Sequence, residues 1–343
     1  MLSPKERLHK VFQREKVDRT PCLCPGGMMN MVTTELMDQV GVSFPEAHTN
    51  AQMMADLSKA VYEKGCFENY GVPFCMTIEA EELGAKVNMG TKVYEPHVVE
   101  YAIQSVTEWK NIPEINFLQG RAKVVLEAIK LLKSKGSDVP IIGNLTGPIS
   151  TAGSIMEPVV FYKEMRRKNK EAHEFVNYVT DQLILFAHKQ IEAGADIIAI
   201  SDPSGTGEIL GPKLFEEFAV KYINKLVNSI SKENIKTIVH ICGQMHNVYT
   251  EVNKVKSDVL SFDSIVSMKQ ARSSLPERLL MGNVSTYAVE FGTPKKVAEL
   301  TLKCVNDGVN IISPACGLGM KSPLENVQSM IKALTNGDAA DNA

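Results

Sequence analysis

Three side chains with soft donor atoms stand out in this sequence of 343 residues. His240 and Cys242 are separated by a single residue, and Cys316 lies far downstream, directly before Gly317. One imidazole nitrogen and two thiolate sulfurs are good zinc ligands, and three protein ligands leave the fourth coordination position of the ion open. An open zinc site acts on a substrate. The sequence therefore predicts a catalytic metal centre, provided that the fold brings these residues together.

The same residue types also occur without metal. A buried cysteine is commonly a small apolar side chain, and a buried histidine is often only hydrogen-bonded. Cys22 and Cys24 form a second pair with the same spacing, for which we consider a metal pair and prefer core packing. Spacing alone leaves both interpretations open for His240, Cys242 and Cys316, so the positions of the elements that carry them must be considered.

Short apolar runs alternate with longer amphipathic stretches, as in α/β proteins with buried parallel strands. The eight apolar runs are Pro21–Pro25, Val72–Ile78, Ile141–Thr146, Asp196–Ser201, Thr237–Ile241, Val259–Phe262, Leu279–Asn283 and Asn310–Pro314. The helical stretches include Arg121–Lys135, Asn169–Ala193, Pro212–Ile230, Pro294–Asn306 and Pro323–Leu334. This pattern predicts a (β/α)₈ TIM barrel of class α/β with an N-terminal helical extension or lid.

We expect a single TIM-barrel domain over residues 1–338, with an extended first βα connection at about 26–70 and a frayed tail at 339–343. Helix-boundary signals agree with this reading. Gly194 is placed to end a long helix, Thr293 to begin one, and Ser322 with Glu325 to form a capping box. A doubly wound sheet is the alternative, but no Gly-x-Gly-x-x-Gly motif follows a strand.

The candidate ligands fall at strand ends. His240 and Cys242 close the run Thr237–Ile241, and Cys316 follows the run Asn310–Pro314 by two residues. Active sites of such barrels lie at the C-terminal ends of the strands, and residues i and i+2 of a strand point to the same side. We therefore expect the three side chains to converge over the barrel mouth.

Composition excludes several classes of protein. The chain is 44% hydrophobic and 22% charged with a net charge of -3, and its Lys and Arg residues are scattered, so we expect no nucleic-acid partner. No run approaches eighteen apolar residues, so we expect no membrane span. Seven irregularly spaced cysteines without a signal peptide indicate a reducing cytoplasm.

The chain resembles the methylcobamide:coenzyme M methyltransferases, which belong to the uroporphyrinogen decarboxylase superfamily of TIM barrels. The resemblance covers essentially the whole length. Its motifs are Lys16–Pro21, Glu35–Asp38, Pro45–Asn50, Asn88–Lys92, Gly194–Asp196 and, most specifically, Val239–Gly243 and Pro314–Gly317. The decarboxylase branch fits less well, because residues 25–30 and 74–77 lack its Arg-Gln-Ala-Gly-Arg and Phe-Ser-Asp-Ile patterns.

The resemblance implies that His240, Cys242 and Cys316 are zinc ligands. Glu81 is our candidate for a weak fourth ligand that a substrate thiol displaces. Asn144, towards the end of the run Ile141–Thr146, and Asp202, directly after the run Asp196–Ser201, are candidates for contacts to the substrate, and Asp202 could instead cap the next helix.

The implied reaction moves a methyl group from the methyl-Co(III) cobalamin of a separate corrinoid protein to a thiol, with coenzyme M as the acceptor. Zinc would activate that thiol. A bacterial pathway ending in methyl-tetrahydrofolate and a uroporphyrinogen decarboxylase-like lyase are the alternative functions.

Overall fold

A parallel sheet curls into the barrel of this protein. The computed structural model describes residues 1–134 and 136–336. Seven strands pair in parallel in the order β1-β4-β5-β6-β7-β8-β9, and β2 and β3 form a separate antiparallel hairpin. Their bounds are β1 Tyr70–Val72, β2 Lys86–Asn88, β3 His97–Glu100, β4 Ile141–Thr146, β5 Ile197–Ser201, β6 Lys236–Ile241, β7 Val259–Phe262, β8 Leu279–Val284 and β9 Ile311–Pro314.

The segment 21–24 closes the barrel between β9 and β1. On one side the Leu23 N–H donates to the Ile312 carbonyl at 2.8 Å, and the Ile312 N–H donates to the Pro21 carbonyl at 2.8 Å. On the other side the Glu68 N–H donates to the Cys22 carbonyl at 2.9 Å. The first predicted strand, Pro21–Pro25, therefore takes its place as the eighth strand of the barrel. Only one isolated bridge, at Cys22, has the geometry of a regular strand pair.

Side chains replace part of the missing ladder at this closure. The Glu68 carboxylate accepts the Cys22 N–H at 2.9 Å, and the Asn69 Oδ1 accepts the Cys24 N–H at 3.0 Å. The Asn69 amide also donates to the Cys24 carbonyl at 2.8 Å. Buried backbone groups need partners, so these two side chains let the segment 21–24 stay buried without a regular strand pair.

Helices form the outer layer and the connections. Their bounds are α1 Pro4–Phe12, α2 Thr34–Val40, α3 Ala51–Glu63, α4 Ile78–Glu82, α5 Gly120–Ser134, α6 Pro148–Ile155, α7 Pro158–Arg167, α8 Asn169–Ala193, α9 Gly207–Leu214, α10 Lys221–Ser231, α11 Tyr249–Val252, α12 Met268–Ser274, α13 Thr286–Phe291, α14 Pro294–Asn306 and α15 Leu324–Asn336. Short 3₁₀ helices span Glu46–His48 and Val106–Asn111, and a π-helical turn spans Phe215–Val220. No helix in the described part of the chain is both long enough and apolar enough to span a membrane.

Two of the predicted helix boundaries are confirmed and one is wrong. Gly194 ends α8 in the left-handed conformation at φ 119°, and the Thr293 side chain caps α14. The capping box at Ser322 does not form, because its hydroxyl is buried without a hydrogen-bond partner. The Leu324 N–H donates instead to the Glu35 carboxylate at 2.8 Å, so a side chain from α2 supplies the cap.

Two predicted elements have different bounds. The strand predicted at Val72–Ile78 is Tyr70–Val72, because Pro73 has no N–H for a ladder and the Asn144 side chain takes the Val72 carbonyl at 3.0 Å. The helix predicted at Pro212–Ile230 lies within a longer helical run: Gly211, with a φ of 71°, separates it from residues 207–210, and a π-helical turn at Phe215–Val220 interrupts its α-helical bonding. The predicted helix end at Lys135 and the predicted tail 339–343 lie outside the described residues.

The N-terminal helix α1 covers the end of the barrel where the strands begin. The Lys5 N–H donates to the Asp138 carbonyl, which precedes β4, and the Lys5 ammonium pairs with Asp196, which precedes β5. Arg7, only 2% exposed, forms ion pairs with Asp18 at 2.7 Å and Glu68 at 2.5 Å. The helical extension is therefore fixed to the bottom of the barrel by paired charges.

Candidate active site

His240, Cys242 and Cys316 converge at the barrel mouth, as their strand-end positions predict. One potential ligand atom from each lies within 4.8 Å of the other two, and His240 Nε2 is 3.2 Å from Cys242 Sγ. His240 is buried, whereas both cysteines are partly exposed. Although β6 ends at Ile241, the i, i+2 relation still places Cys242 on the same side as His240.

A hydroxyl on the neighbouring strand orients the imidazole. His240 and Ser261 are directly opposite each other in the β6–β7 ladder, and His240 Nδ1 lies 2.9 Å from Ser261 Oγ. Ser261 is fully buried. With Nδ1 engaged by this hydroxyl, Nε2 is the nitrogen left facing the two sulfurs. A hydrogen bond of this kind commonly fixes the ring of a metal-binding histidine.

Each cysteine of the trio is followed by a glycine at which a larger residue would be disfavoured, by the backbone conformation at Gly243 and by a close backbone contact at Gly317. Gly243 has a φ of 79°, and a Cβ there would lie 2.6 Å from the Glu208 carboxylate. A Cβ on Gly317 would lie 2.7 Å from the Met28 carbonyl oxygen. The Leu318 N–H also donates to the Asn30 carbonyl at 2.8 Å. The first βα connection therefore packs directly against the loop that carries Cys316.

The electrostatics of the trio keep its imidazole neutral and make one thiol easier to ionise than the other. Burial lowers the pKa of His240 to about 4, so its imidazole is neutral at pH 7 and one ring nitrogen can act as a ligand. A hydrogen bond between the two cysteine side chains lowers the pKa of Cys316 and raises that of Cys242, with the Gly317 N–H further stabilising the Cys316 thiolate. The carboxylate of Asp263, which directly follows β7, opposes ionisation of both thiols.

The donor set fits a tetrahedral zinc ion. Zinc–nitrogen and zinc–sulfur bonds of about 2.0 and 2.3 Å require ligand atoms roughly 3.5–3.8 Å apart. The three donors of His240, Cys242 and Cys316 are within 4.8 Å of one another, so small side-chain rotations would reach this spacing. No other group of three His, Cys, Asp or Glu side chains in the described part of the chain converges in this way.

Asn144 lies at the point where the segment 21–24 meets β1. Its Nδ2 donates to the Pro25 carbonyl at 2.7 Å and the Val72 carbonyl at 3.0 Å. Its Oδ1 is buried and has no hydrogen-bond partner. The amide thus ties two backbone segments together and keeps one acceptor unused, next to the Gly27 loop of the mouth.

Asp202 is fully buried and its carboxylate receives donors from the start of α6. It accepts the Ser150 N–H at 2.7 Å, the Ser150 hydroxyl at 2.6 Å and the Ile149 N–H at 3.2 Å. Burial raises its pKa, with the bonds from Ser150 acting in the opposite direction. Its own N–H donates to the His240 carbonyl at 3.0 Å. Asp202 therefore links α6 to the strand that carries His240.

Glu81 does not belong to the converging trio. Its carboxylate pairs with Arg121, whose guanidinium also donates to the Thr77 hydroxyl at 2.9 Å. Nearby, the buried Glu79 accepts the Thr146 N–H at 2.8 Å, and burial raises its pKa. The sequence pattern did not single out Glu79 or Ser261. Ser261 is an isolated polar residue in an apolar run, which is the only signal that could have indicated it, whereas Glu79 stands close to two further glutamates and carries no such signal.

The second cysteine pair packs in the core. Cys22 and Cys24 are fully buried, and burial raises the pKa of both thiols. The Cys24 thiol donates to the Met29 carbonyl at 3.1 Å. The preferred interpretation of this pair, core packing, is confirmed.

Comparisons with known proteins agree on one family. The family model for uroporphyrinogen decarboxylase (URO-D) matches residues 3–336. The methylcobamide:CoM methyltransferase MtbA of Methanosarcina acetivorans is 32% identical over 97% of this chain and 98% of its own length. The methylcobamide:CoM methyltransferase MtaA of Methanosarcina barkeri is 31% identical over 96% of both chains. A solved methyltransferase from Methanosarcina mazei superposes with a TM-score of 0.92 at 31% identity, covering 98% of this chain and 99% of that one.

Proposed function

We propose that this chain, which belongs to the uroporphyrinogen decarboxylase (URO-D) family, is a zinc-dependent methyltransferase that moves a methyl group from a methylated corrinoid to the thiol of coenzyme M. The observation that carries the proposal is the convergence of His240, Cys242 and Cys316 within 4.8 Å at the barrel mouth. The two substrates are proposed from the names of relatives, which are methylcobamide:CoM methyltransferases.

A zinc ion bound by the trio would lower the pKa of an acceptor thiol beside it and so provide a thiolate at neutral pH. The thiolate then attacks the methyl carbon, the carbon–cobalt bond breaks, and its electron pair leaves with the cobalt as Co(I). The corrinoid supplies the difficult bond chemistry, and the protein supplies binding and orientation.

The residues of this chain have distinct tasks in that scheme. His240 and the two cysteines hold the ion, Ser261 fixes the imidazole with Nε2 facing the sulfurs, and the Gly317 N–H supports the Cys316 thiolate. We assign to Asn144 Oδ1, the unused buried acceptor, a hydrogen bond from the substrate. Asp202 acts as a positioning residue for β6, because α6 occupies its carboxylate.

Within the same proposal, the corrinoid arrives on a separate carrier protein, the reaction takes place in the cytoplasm, and residues 1–338 form one catalytic domain. Glu81 remains a proposed fourth ligand only if its pair with Arg121 opens before a thiol binds.

The test measures bound metal and thiol-dependent demethylation of methylcobalamin in the wild type, Cys316→Ala and Cys304→Ala. Cys304 is a matched control, because it is a buried cysteine outside the trio. We expect wild type and Cys304→Ala to bind about one zinc per chain and to transfer methyl groups, and Cys316→Ala to lose both properties. A wild type without bound zinc, or a fully active Cys316→Ala, would contradict the proposal.

The acceptor is tested by offering coenzyme M, homocysteine and tetrahydrofolate separately to the zinc-loaded wild type. We expect methyl-coenzyme M as the main product, because a thiol is what the soft zinc site can activate. Methyl-tetrahydrofolate as the sole product would favour the alternative bacterial pathway.

A further inference from the structure

Two of the seven cysteines differ from the rest in exposure. All seven are free thiols, but Cys242 and Cys316 are partly exposed whereas the other five are buried. Oxidation of a thiol requires that the oxidant reach its sulfur, so exposure selects these two side chains. The pair Cys22 and Cys24 is protected in the core, where the Cys24 thiol donates to the Met29 carbonyl.

The two exposed thiols also face each other. Their sulfur atoms lie within 4.8 Å, and a hydrogen bond joins the two side chains. A disulfide needs its sulfur atoms about 2.05 Å apart. Cys242 comes one residue after the end of β6, and Cys316 comes two residues after the end of β9. Neither lies inside the sheet, so the sulfurs can approach by movement of side chains and loop backbone while the strand ladders stay intact.

A disulfide and a zinc ion would use the same two sulfurs. The thiolate is the form of cysteine that binds metal, and a disulfide has no thiolate. Oxidation of the pair would therefore leave His240 as the one remaining ligand of the trio. Conversely, an ion bound to both sulfurs would keep them from reacting with an oxidant.

We propose that Cys242 and Cys316 form a redox switch. When zinc is absent, hydrogen peroxide oxidises them to a disulfide, and the disulfide prevents zinc from binding until a dithiol reduces it. This inference rests on the proposed function, because it concerns the regulation of the same trio.

The chemistry of the switch proceeds in two steps. One thiol attacks the peroxide, the O–O bond breaks, and a water molecule leaves while the sulfur becomes a sulfenic acid. The second thiol attacks that sulfur, the S–O bond breaks, and a second water leaves. The two sulfurs lose two electrons and the peroxide gains them. A dithiol reverses the oxidation by thiol–disulfide exchange, in which it becomes the disulfide and the protein recovers both thiols.

The test treats zinc-loaded wild type, and wild type stripped of zinc by a chelator, with hydrogen peroxide. The readouts are peptide mapping by mass spectrometry without reduction, the number of thiols titrated after denaturation, and the zinc bound when zinc is offered again. Cys316→Ser removes the partner of Cys242. Cys304→Ser is the matched control, because it removes a buried cysteine outside the trio.

In metal-free wild type we expect a cross-link between Cys242 and Cys316, loss of two of the seven thiols and loss of zinc binding, all reversed by dithiothreitol. Zinc-loaded wild type should react about 10-fold more slowly, because the ion holds both sulfurs. Cys304→Ser should form the same cross-link. Cys316→Ser should form none and should stop at a sulfenic acid on Cys242, which dimedone traps.

Three results would overturn the switch: no cross-link in metal-free wild type, unchanged zinc binding in cross-linked protein, or equal rates of oxidation with and without zinc. Oxidation of both sulfurs to sulfinic acids without a cross-link counts as the first of these. Failure of the proposed function looks different. Wild type would then bind no zinc before any oxidant is added, or would bind zinc and transfer no methyl group, whereas the mass and thiol measurements do not depend on methyl transfer.

Discussion

The two ends of the barrel differ in how their polar and charged side chains are paired. At the bottom, buried charges are paired: Arg7 contacts Asp18 and Glu68, and Arg19 donates to the same Glu68 carboxylate at 2.7 Å. At the mouth, two partly exposed thiols face a neutral imidazole, and a buried amide oxygen of Asn144 has no partner. The bottom pairs its buried charges within the chain, whereas the mouth leaves donor and acceptor atoms available for an ion and a substrate.

The difference indicates that stability and activity depend on separate ends of the molecule, as is usual for TIM barrels. Substitutions at the bottom should therefore change unfolding while the metal site persists. Changes at the mouth should alter metal binding and turnover while the fold persists.

Metal removal should have the largest effect and is the strongest test of this separation. We expect a zinc chelator to abolish thiol-dependent methyl transfer and leave the far-UV circular dichroism spectrum unchanged. The elements that carry the trio are held by backbone bonds, such as those from Asp202 to His240 and from Ala315 to Val284. Loss of helical signal on chelation would show that the mouth also holds the fold together.

Breaking the bottom network should have the next largest effect. Arg7→Ala leaves the buried Glu68 without one of its cationic partners, so we expect a loss of about 3–5 kcal/mol in the free energy of unfolding. Zinc content should remain at the wild-type level. Denaturant unfolding measures the loss, and Lys86→Ala, which breaks the exposed pair with Glu100, should cost no more than about 1 kcal/mol.

Removing the hydroxyl behind His240 should have a smaller effect, confined to the mouth. Ser261→Ala frees the imidazole to rotate, so we expect zinc affinity to fall by about 10- to 100-fold in a chelator competition. Ser261→Thr keeps a hydroxyl on the same carbon and should restore most of the affinity. Equal affinity in Ser261→Ala and wild type would show that packing alone orients His240.

The smallest predicted effect is an acid sensitivity of the bottom. The hydrogen bond and charge of Arg7 hold the pKa of Asp18 well below its usual range. A depressed pKa in the folded state means that this stabilisation is complete above the unfolded value of about 3.9 and is lost as the pH falls below it. The thermal unfolding midpoint of wild type should therefore fall more steeply below pH 4 than that of Asp18→Asn. If the two midpoints fell in parallel with pH, Asp18 would not be a cause of the acid sensitivity.

Most of the architecture follows from local patterns in the sequence. The apolar runs at Ile141–Thr146, Val259–Phe262 and Leu279–Asn283 become strands with nearly the predicted bounds. Buried parallel strands need continuous apolar sequence, so the pattern is strong there. The predicted strand Val72–Ile78 extended too far because its apolar residues, such as Phe74, are buried in a loop and not in the sheet.

The site was predictable where chain order fixes the geometry and not where it depends on contacts between distant residues. His240 and Cys242 share a strand end, and Cys316 follows another, so barrel topology places all three at the same mouth, where they are found to converge. The Ser261 contact depends on the register between β6 and β7. The cap that Glu35 gives to α15 joins residues 289 apart in sequence. A single sequence does not reveal such pairings.

The closure of the barrel has a further consequence for its dynamics. Between Cys22 and Glu68, a few backbone bonds and the Glu68 and Asn69 side chains take the place of a continuous ladder. Local opening there breaks fewer cooperative bonds than opening anywhere between β4 and β9, so amide hydrogen exchange should be fastest along this edge. The neighbouring strand β9 leads into Cys316. Local opening at this edge would widen the entrance beside Cys316 and leave the side with His240 and Cys242 unchanged.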